Sequence, residues 1–160
     1  PGSPAVRETN SDAPTVVAGG ELEVRREWRN GLMLGATYGY QQARLLGSRP
    51  GDPFLANVPE HAASFKCVVP LVEELVSLGF RAALEAPRRF SSDDDRRTGT
   101  AVIADATLSG AVRRVGLRYT LGVYNMADWR YQTPAPSYSP IGTAPQKGRT
   151  LLFDLLWTSD

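Results

Sequence analysis

The chain holds a single histidine, His61, and a single cysteine, Cys67. A lone imidazole and a lone thiol argue against the common transition-metal sites, and one thiol allows no intramolecular disulfide. Ser64 follows closely after His61, but no Ser-His-Asp set can be assembled around that pair without inventing geometry, so no catalytic residues and no enzyme activity are expected. His61 reads instead as part of the opening of a strand, and Cys67 as a small hydrophobe on an apolar face. The run "SSDDDRR" (Ser91 to Arg97) clusters carboxylates that could hold Ca²⁺, yet it lacks the glycine-spaced ligand pattern of a calcium loop and reads as a solvated loop. No metal and no cofactor are expected. Two groups could touch a ligand. Arg81, Arg118, Lys66 and Glu85 share the polar sides of their strands and could contact an anionic molecule or pair with one another. Phe54, Phe90, Trp129, Tyr131 and Tyr138 fall in loops, where they could cap a substrate or pack and anchor. Arg81, Glu85, Arg118, Trp129 and Tyr131 are the candidate ligand-binding residues.

The elements that must position them are strands. Seven segments alternate apolar and polar residues with period two, near residues 20–29, 32–44, 62–71, 75–87, 100–110, 116–127 and 148–157. In the first, Leu22, Val24 and Trp28 oppose Glu21, Glu23, Arg25 and Glu27. Asn30-Gly31, a strong two-residue hairpin signal, joins it to the second. In the sixth, Leu117, Tyr119, Leu121 and Val123 oppose Arg118, Thr120 and Gly122. The stretch "LVEELVSLGF" also fits a short amphipathic helix, but the alternation on both sides favours a hairpin. Fifteen glycines and twelve prolines suit a chain rich in turns. The net charge of +1 gives no global field for nucleic acid, and no nucleic-acid partner is expected. No apolar run reaches the roughly 18 residues of a transmembrane helix, which says nothing of a membrane β-barrel, whose strands alternate. The opening "PGS" (residues 1–3) reads as a vector remnant and is set aside.

The connections alternate in length. Short ones fall at 30–31, 72–74 and 111–115, long ones near 45–61, 88–99 and 128–147. Outer-membrane barrels sort their connections in this way, and strands of about 9–13 residues, tilted, cross a bilayer's hydrocarbon core. Trp28, Tyr40 and Trp157 fall at strand ends, where interfacial aromatic girdles sit. Arg26 is the exception on an apolar face, close enough to a short turn to snorkel. The expected fold class is all-β: an antiparallel up-and-down transmembrane β-barrel segment of about seven to eight strands. Seven strands leave the termini on opposite sides, which implies a missing partner. Either residues 4–18 supply an eighth strand through "TVVAG", or residues 4–160 are the C-terminal segment of a larger barrel; the segment is favoured.

Three motifs carry a family resemblance. "AGGELEV" resembles a glycine-then-acidic opening of a late barrel strand. "NVPEHAASFK" (Asn57 to Lys66) resembles an Asn-x-Pro-x-His strand opening. "LGVYNMADWRY" followed by "PQKGRTLLFDLLW" resembles a near-terminal Gly-Val-x-Asn, then Asp and Tyr, then Gly-Arg at the last strand. In this order the set resembles the C-terminal barrel portion of a TonB-dependent outer-membrane receptor. The resemblance implies a location in the outer membrane of a Gram-negative bacterium. It implies a role in active uptake of a scarce nutrient such as a siderophore or other metal chelate. The implied partners are the rest of the barrel and its plug, the TonB energy-coupling system through that plug, lipid or lipopolysaccharide, and the small-molecule substrate. The chain alone would not be transport-competent. Its last strand departs from the family pattern of a terminal aromatic, since Thr158, Ser159 and Asp160 follow Trp157. The alternative is a small ligand-binding β-barrel, soluble or membrane-bound, without transport.

Overall fold

The computed structural model describes residues 14–47, 54–73, 75–91, 94–135 and 141–158, with the side chain of Asp94 left aside. Seven long strands run in one antiparallel meander: β1 (Thr15–Glu27), β2 (Met33–Leu45), β3 (His61–Val72), β4 (Val76–Glu85), β7 (Ala101–Val112), β8 (Leu117–Tyr124) and β11 (Thr150–Trp157). Two short pairs sit inside the long connections: β5 (Arg89–Ser91) with β6 (Asp94–Arg97), and β9 (Gln132–Pro134) with β10 (Thr143–Pro145). Among the described residues the sheet does not close; β1 and β11 each pair on one side only.

Because directly paired residues of an antiparallel ladder share a face, the register identifies the two surfaces. One apolar row crosses Val24, Ala36, Phe65, Ala82 and Ala104; another crosses Leu34, Cys67, Phe80, Ala106, Val123 and Leu151. Arg26 pairs with Leu34 and does lie on this face. On the other face the rows are polar: Glu23, Thr37, Ser64 and Ala83, then Arg25, Gly35, Lys66, Arg81 and Asp105.

Among the described residues no second layer covers either surface. The buried apolar residues among those described are Ala43 and Ala101, and no large side chain is fully buried. Every residue of β1 and β11 is exposed. A sheet normally hides its apolar face against another element; here Leu22, Val24, Phe65, Leu121 and Phe153 all stand open.

Three expectations from sequence are refined. "TVVAG" is not an eighth strand: Thr15–Gly19 continues β1 without a break, paired with Gln41–Leu45. Gly19 and Gly20 weaken the local alternation but leave the ladder intact. Residues 4–13 lie outside the described residues. The β1–β2 turn is wider than a two-residue loop. Trp28 and Leu32 bond across it, Gly31 N–H donates to the Trp28 carbonyl at 2.9 Å, and only Gly31 has a left-handed backbone (φ 81°). That is the three-residue hairpin with a left-handed glycine, which does not ask Asn30 for positive φ. "LVEELVSLGF" is a hairpin, with Val72 paired to Val76.

The third short turn is a 3-10 turn, Arg113–Val115, closed by Gly116 at φ 63°. Thr158 N–H donates to the Gly116 carbonyl at 3.0 Å, and a Cβ on Gly116 would run into the Thr158 backbone. Gly116→Ala is therefore expected to cost more than about 1 kcal/mol from the left-handed backbone alone, read as a lowered melting temperature in detergent. Gly99→Ala, with open space at its Cβ, serves as the neutral control.

Candidate functional site

All three short turns (28–32, 73–75 and 113–116) close one end of the sheet, and all three long connections (46–60, 86–100 and 125–149) close the other. The five candidate ligand residues divide into three places on this frame.

Arg81 and Glu85 stay together. Both line a hollow of about 610 Å³ on the polar face, with Glu21, Gln41, Thr37 and Ser64. Its floor is made of small residues, Gly39, Ala62 and Ala83. Arg81 donates to Asp105 Oδ2 at 3.4 Å, and Lys66 stands directly opposite Arg81 in the register. Two cations facing one another across a ladder repel, and Asp105 on the far side of Arg81 offsets part of that. The other Asp105 oxygen accepts the Asn125 N–H at 2.9 Å. Arg81 is half exposed, so its ion pair contributes less than about 1 kcal/mol. Arg81→Gln should accordingly change stability by less than that, whereas Asp105→Ala strands a buried N–H and should cost about 1–3 kcal/mol; chemical denaturation in micelles separates the two. Glu85 is committed to Arg88 at 2.5 Å, and Arg88 also donates to the Asn57 side chain at 3.1 Å. Its carboxylate thus anchors the β2–β3 loop to the β4 exit.

Arg118 stands apart. It pairs with Ala111 and Leu156 near the short-turn end, six residues along β7 from the Arg81 row and so about 20 Å away along the strand. Trp129 and Tyr131 form a third place. With Phe90, Arg97 and Arg130 they line a hollow of about 380 Å³ among the long connections.

His61 and Ser64 do not meet. Ser64 Oγ bonds Thr37 Oγ1 at 2.7 Å on the polar face, while His61 Nδ1 bonds the Tyr38 hydroxyl at 2.8 Å on the apolar face. They are three positions apart in one strand, and an odd offset puts them on opposite sides. In the "SSDDDRR" run, Asp95 is paired with Arg89; Ser92 and Asp93 lie outside the described residues, as does Tyr138.

Aromatic side chains gather at both ends of the apolar face. At the long-loop end His61 stacks near Tyr38 and Tyr40, with ring centroids at 6.1 and 5.0 Å. At the short-turn end, the Tyr119 hydroxyl donates to the Leu75 carbonyl at 2.7 Å and the Trp157 indole to the Val115 carbonyl at 2.9 Å. Arg26 lies over the Trp28 ring at 4.7 Å, so this cation of the apolar face reaches back to the sheet's end.

One structural feature beside the site escaped sequence reasoning. Asn125 and Asp128, both left-handed (φ 51° and 50°), tie the exit of β8 to the start of β11. Asn125 Oδ1 accepts the Trp129 N–H at 2.8 Å; its amide donates to the carbonyls of Trp129 (3.0 Å) and Lys147 (3.2 Å). Asp128 Oδ1 accepts the Arg149 N–H at 2.9 Å. From sequence these two residues belong to the near-terminal motif and mark where the strand leaves its apolar band, with no tie between β8 and β11 in view. The available signal was residue type: Asn and Asp tolerate the left-handed backbone and bond nearby main chain.

An open, antiparallel, up-and-down sheet with one apolar and one polar face, and with its long connections all at one end, defines the structural class. No protein-family model matches the chain, and no curated protein matches it. Among solved structures the chain is similar to BauA, the ferric preacinetobactin receptor from Acinetobacter baumannii. The TM-score is 0.74 at 14% identity, over 91% of this chain and 22% of that one. The chain thus spans less than a quarter of that receptor's length, and at this identity the likeness is one of fold.

Proposed function

We propose that the chain is a C-terminal barrel portion of a TonB-dependent receptor in the outer membrane of a Gram-negative bacterium. In this reading the receptor takes up a scarce nutrient such as a siderophore or other metal chelate. The observation that carries the reading is the uncovered apolar face. It spans seven strands, is edged by aromatic residues at both ends, and lies on the side away from the hollow. A soluble barrel places its apolar side chains inside; lipid is the medium that suits an apolar outer face. From the level of Leu32, which bonds Trp28, to Tyr40 is about 27 Å of strand, or about 20 Å across a membrane for a strand tilted by roughly 40°. That is close to the apolar band of outer-membrane barrels. The likeness to a ferric-chelate receptor supports the same reading.

The chain is not an enzyme in this account and uses no cofactor. Its partners are the remaining barrel strands and a plug, the TonB system through that plug, membrane lipid and the substrate. The polar hollow at Arg81 and Glu85 lines the passage, Arg118 stands nearer the periplasmic end, and Trp129 and Tyr131 meet the substrate from outside. The reading is tested by folding the chain with and without detergent. It requires detergent or lipid for a β-rich, dispersed state; a folded monomer in plain buffer sinks it. Uptake of ferric chelates by the source bacterium, lost on disruption of the gene and regained on complementation, tests transport itself.

A further inference from the structure

Above the Tyr38–Tyr40–His61 cluster, the same face of β2 continues into Gln42 and Arg44, paired with Ala18 and Val16 of β1. Here the surface changes from apolar to cationic within two outward positions. Arg44 is exposed, and no carboxylate pairs with it among the described residues. Its guanidinium is nonetheless held: it lies over the Phe54 ring at 4.6 Å, and its Nη2 donates to the Gln42 side chain at 3.3 Å. Phe54 is itself fixed beside Arg44 by a bridge to the strand, and Arg89 lies over the same ring at 4.7 Å. Arg89 is neutralised by Asp95, so Arg44 is the cation left free to meet an anion. The Tyr40 ring lies below it on the same face, beside the imidazole of His61.

We infer that Arg44, oriented by Phe54 and Gln42 above the Tyr40–His61 pair, is a binding point for the phosphate of an anionic membrane lipid in the outer leaflet. The inference rests on the membrane reading given above. Height selects the ligand. Aromatic rings of this kind sit at the edge of the hydrocarbon, and the next polar layer outward is that of the headgroups, a few ångströms thick. A planar guanidinium matches a phosphate with two parallel hydrogen bonds, and a cation at an anionic surface strengthens binding by about fivefold. Charge complementarity on an outward face beside lipid favours a lipid phosphate over a phosphate in solution.

The test uses the chain folded into phosphatidylcholine vesicles doped with lipid A or with lipid A stripped of its phosphates. Lipid that stays on the protein after transfer to micelles is counted by mass spectrometry. Wild type is expected to retain the phosphorylated lipid about fivefold better than the stripped one. Arg44→Gln should abolish that preference while inserting as well as wild type, Arg44→Lys, which keeps the charge but not the paired hydrogen bonds or the ring contact, should keep only part of it, and Phe54→Leu should weaken it. An unchanged preference in Arg44→Gln overturns the inference, and so does competition by millimolar inorganic phosphate, which would mark a site for soluble anions. If wild type enters no vesicle of either kind, the membrane reading falls and takes this inference with it. Insertion without any phosphate preference overturns the inference alone.

Discussion

Phe65→Lys, at the centre of the apolar face, should lower the stability of the bilayer-inserted sheet by about 2–4 kcal/mol. Ala62→Lys, on the opposite face of the same strand, should change it by no more than about 0.5 kcal/mol. Phe65 lies in the row of Val24, Ala36, Ala82 and Ala104, well inside the aromatic ends, where a lysine has no short path to water. Ala62 is exposed between Gly39 and Glu85 and lines the polar hollow, so a lysine there gains a carboxylate neighbour. Urea titration of both variants in lipid vesicles measures the difference, and the contrast matters more than either value. A soluble sheet with its charged face outward would also accept Ala62→Lys, but its response to Phe65→Lys would persist in plain buffer. Equal costs for the two variants in vesicles would mean that the Phe65 face does not meet lipid.

Asn125→Ala should cost about 2–4 kcal/mol and loosen the long connection between β8 and β11. Asn125 is 4% exposed, and its side chain serves three main-chain groups at once. Alanine leaves the Trp129 N–H and two carbonyls without their partner and must also hold a left-handed backbone. Asn125→Asp keeps the acceptor for Trp129 but loses both donated bonds and brings a second carboxylate to Asp105, so it should recover little. Hydrogen exchange at the Trp129 amide reads the local effect; equilibrium unfolding reads the total. Protection at Trp129 that survives in Asn125→Ala would remove the side chain from its place as a tie. Because Trp129 and Tyr131 sit directly beyond it, the same variant should alter the hollow they share with Phe90 and Arg97.

How much of this was legible in the sequence follows from the range of the interactions. Strand existence and face were readable because period two is local: Leu117, Tyr119, Leu121 and Val123 share a face in sequence and in the register alike. The sorting of long and short connections needed only counting. The β1 boundary was missed by five residues because Gly19 and Gly20 interrupt the alternation that marks a strand, while the ladder with β2 carries on through them. The candidate site was less legible. Arg81 and Arg118 look alike as polar-side cations, yet their separation depends on the stagger of three strands, β4, β7 and β8, which no single segment encodes. Glu85 reads in sequence as a possible partner of the strand cations Arg81, Arg118 and Lys66, whereas its ion pair is with Arg88, three residues further along the chain. Arg44 and Phe54 are ten residues apart across a loop, and nothing in either neighbourhood announces that one ring will hold two guanidiniums.

The two open edges carry one more consequence. β1 and β11 both run from the long-loop end to the short-turn end, so the sheet has an odd parity: its outer strands point the same way. Two copies inserted in the same orientation could join these edges only through a parallel ladder, which is the weaker pairing per residue. An antiparallel joint between copies would require one of them upside down, with long connections on both sides of the membrane. An all-antiparallel ring can be completed only by an odd number of further strands. Direction alone therefore biases these edges against their own kind and toward a different set of strands.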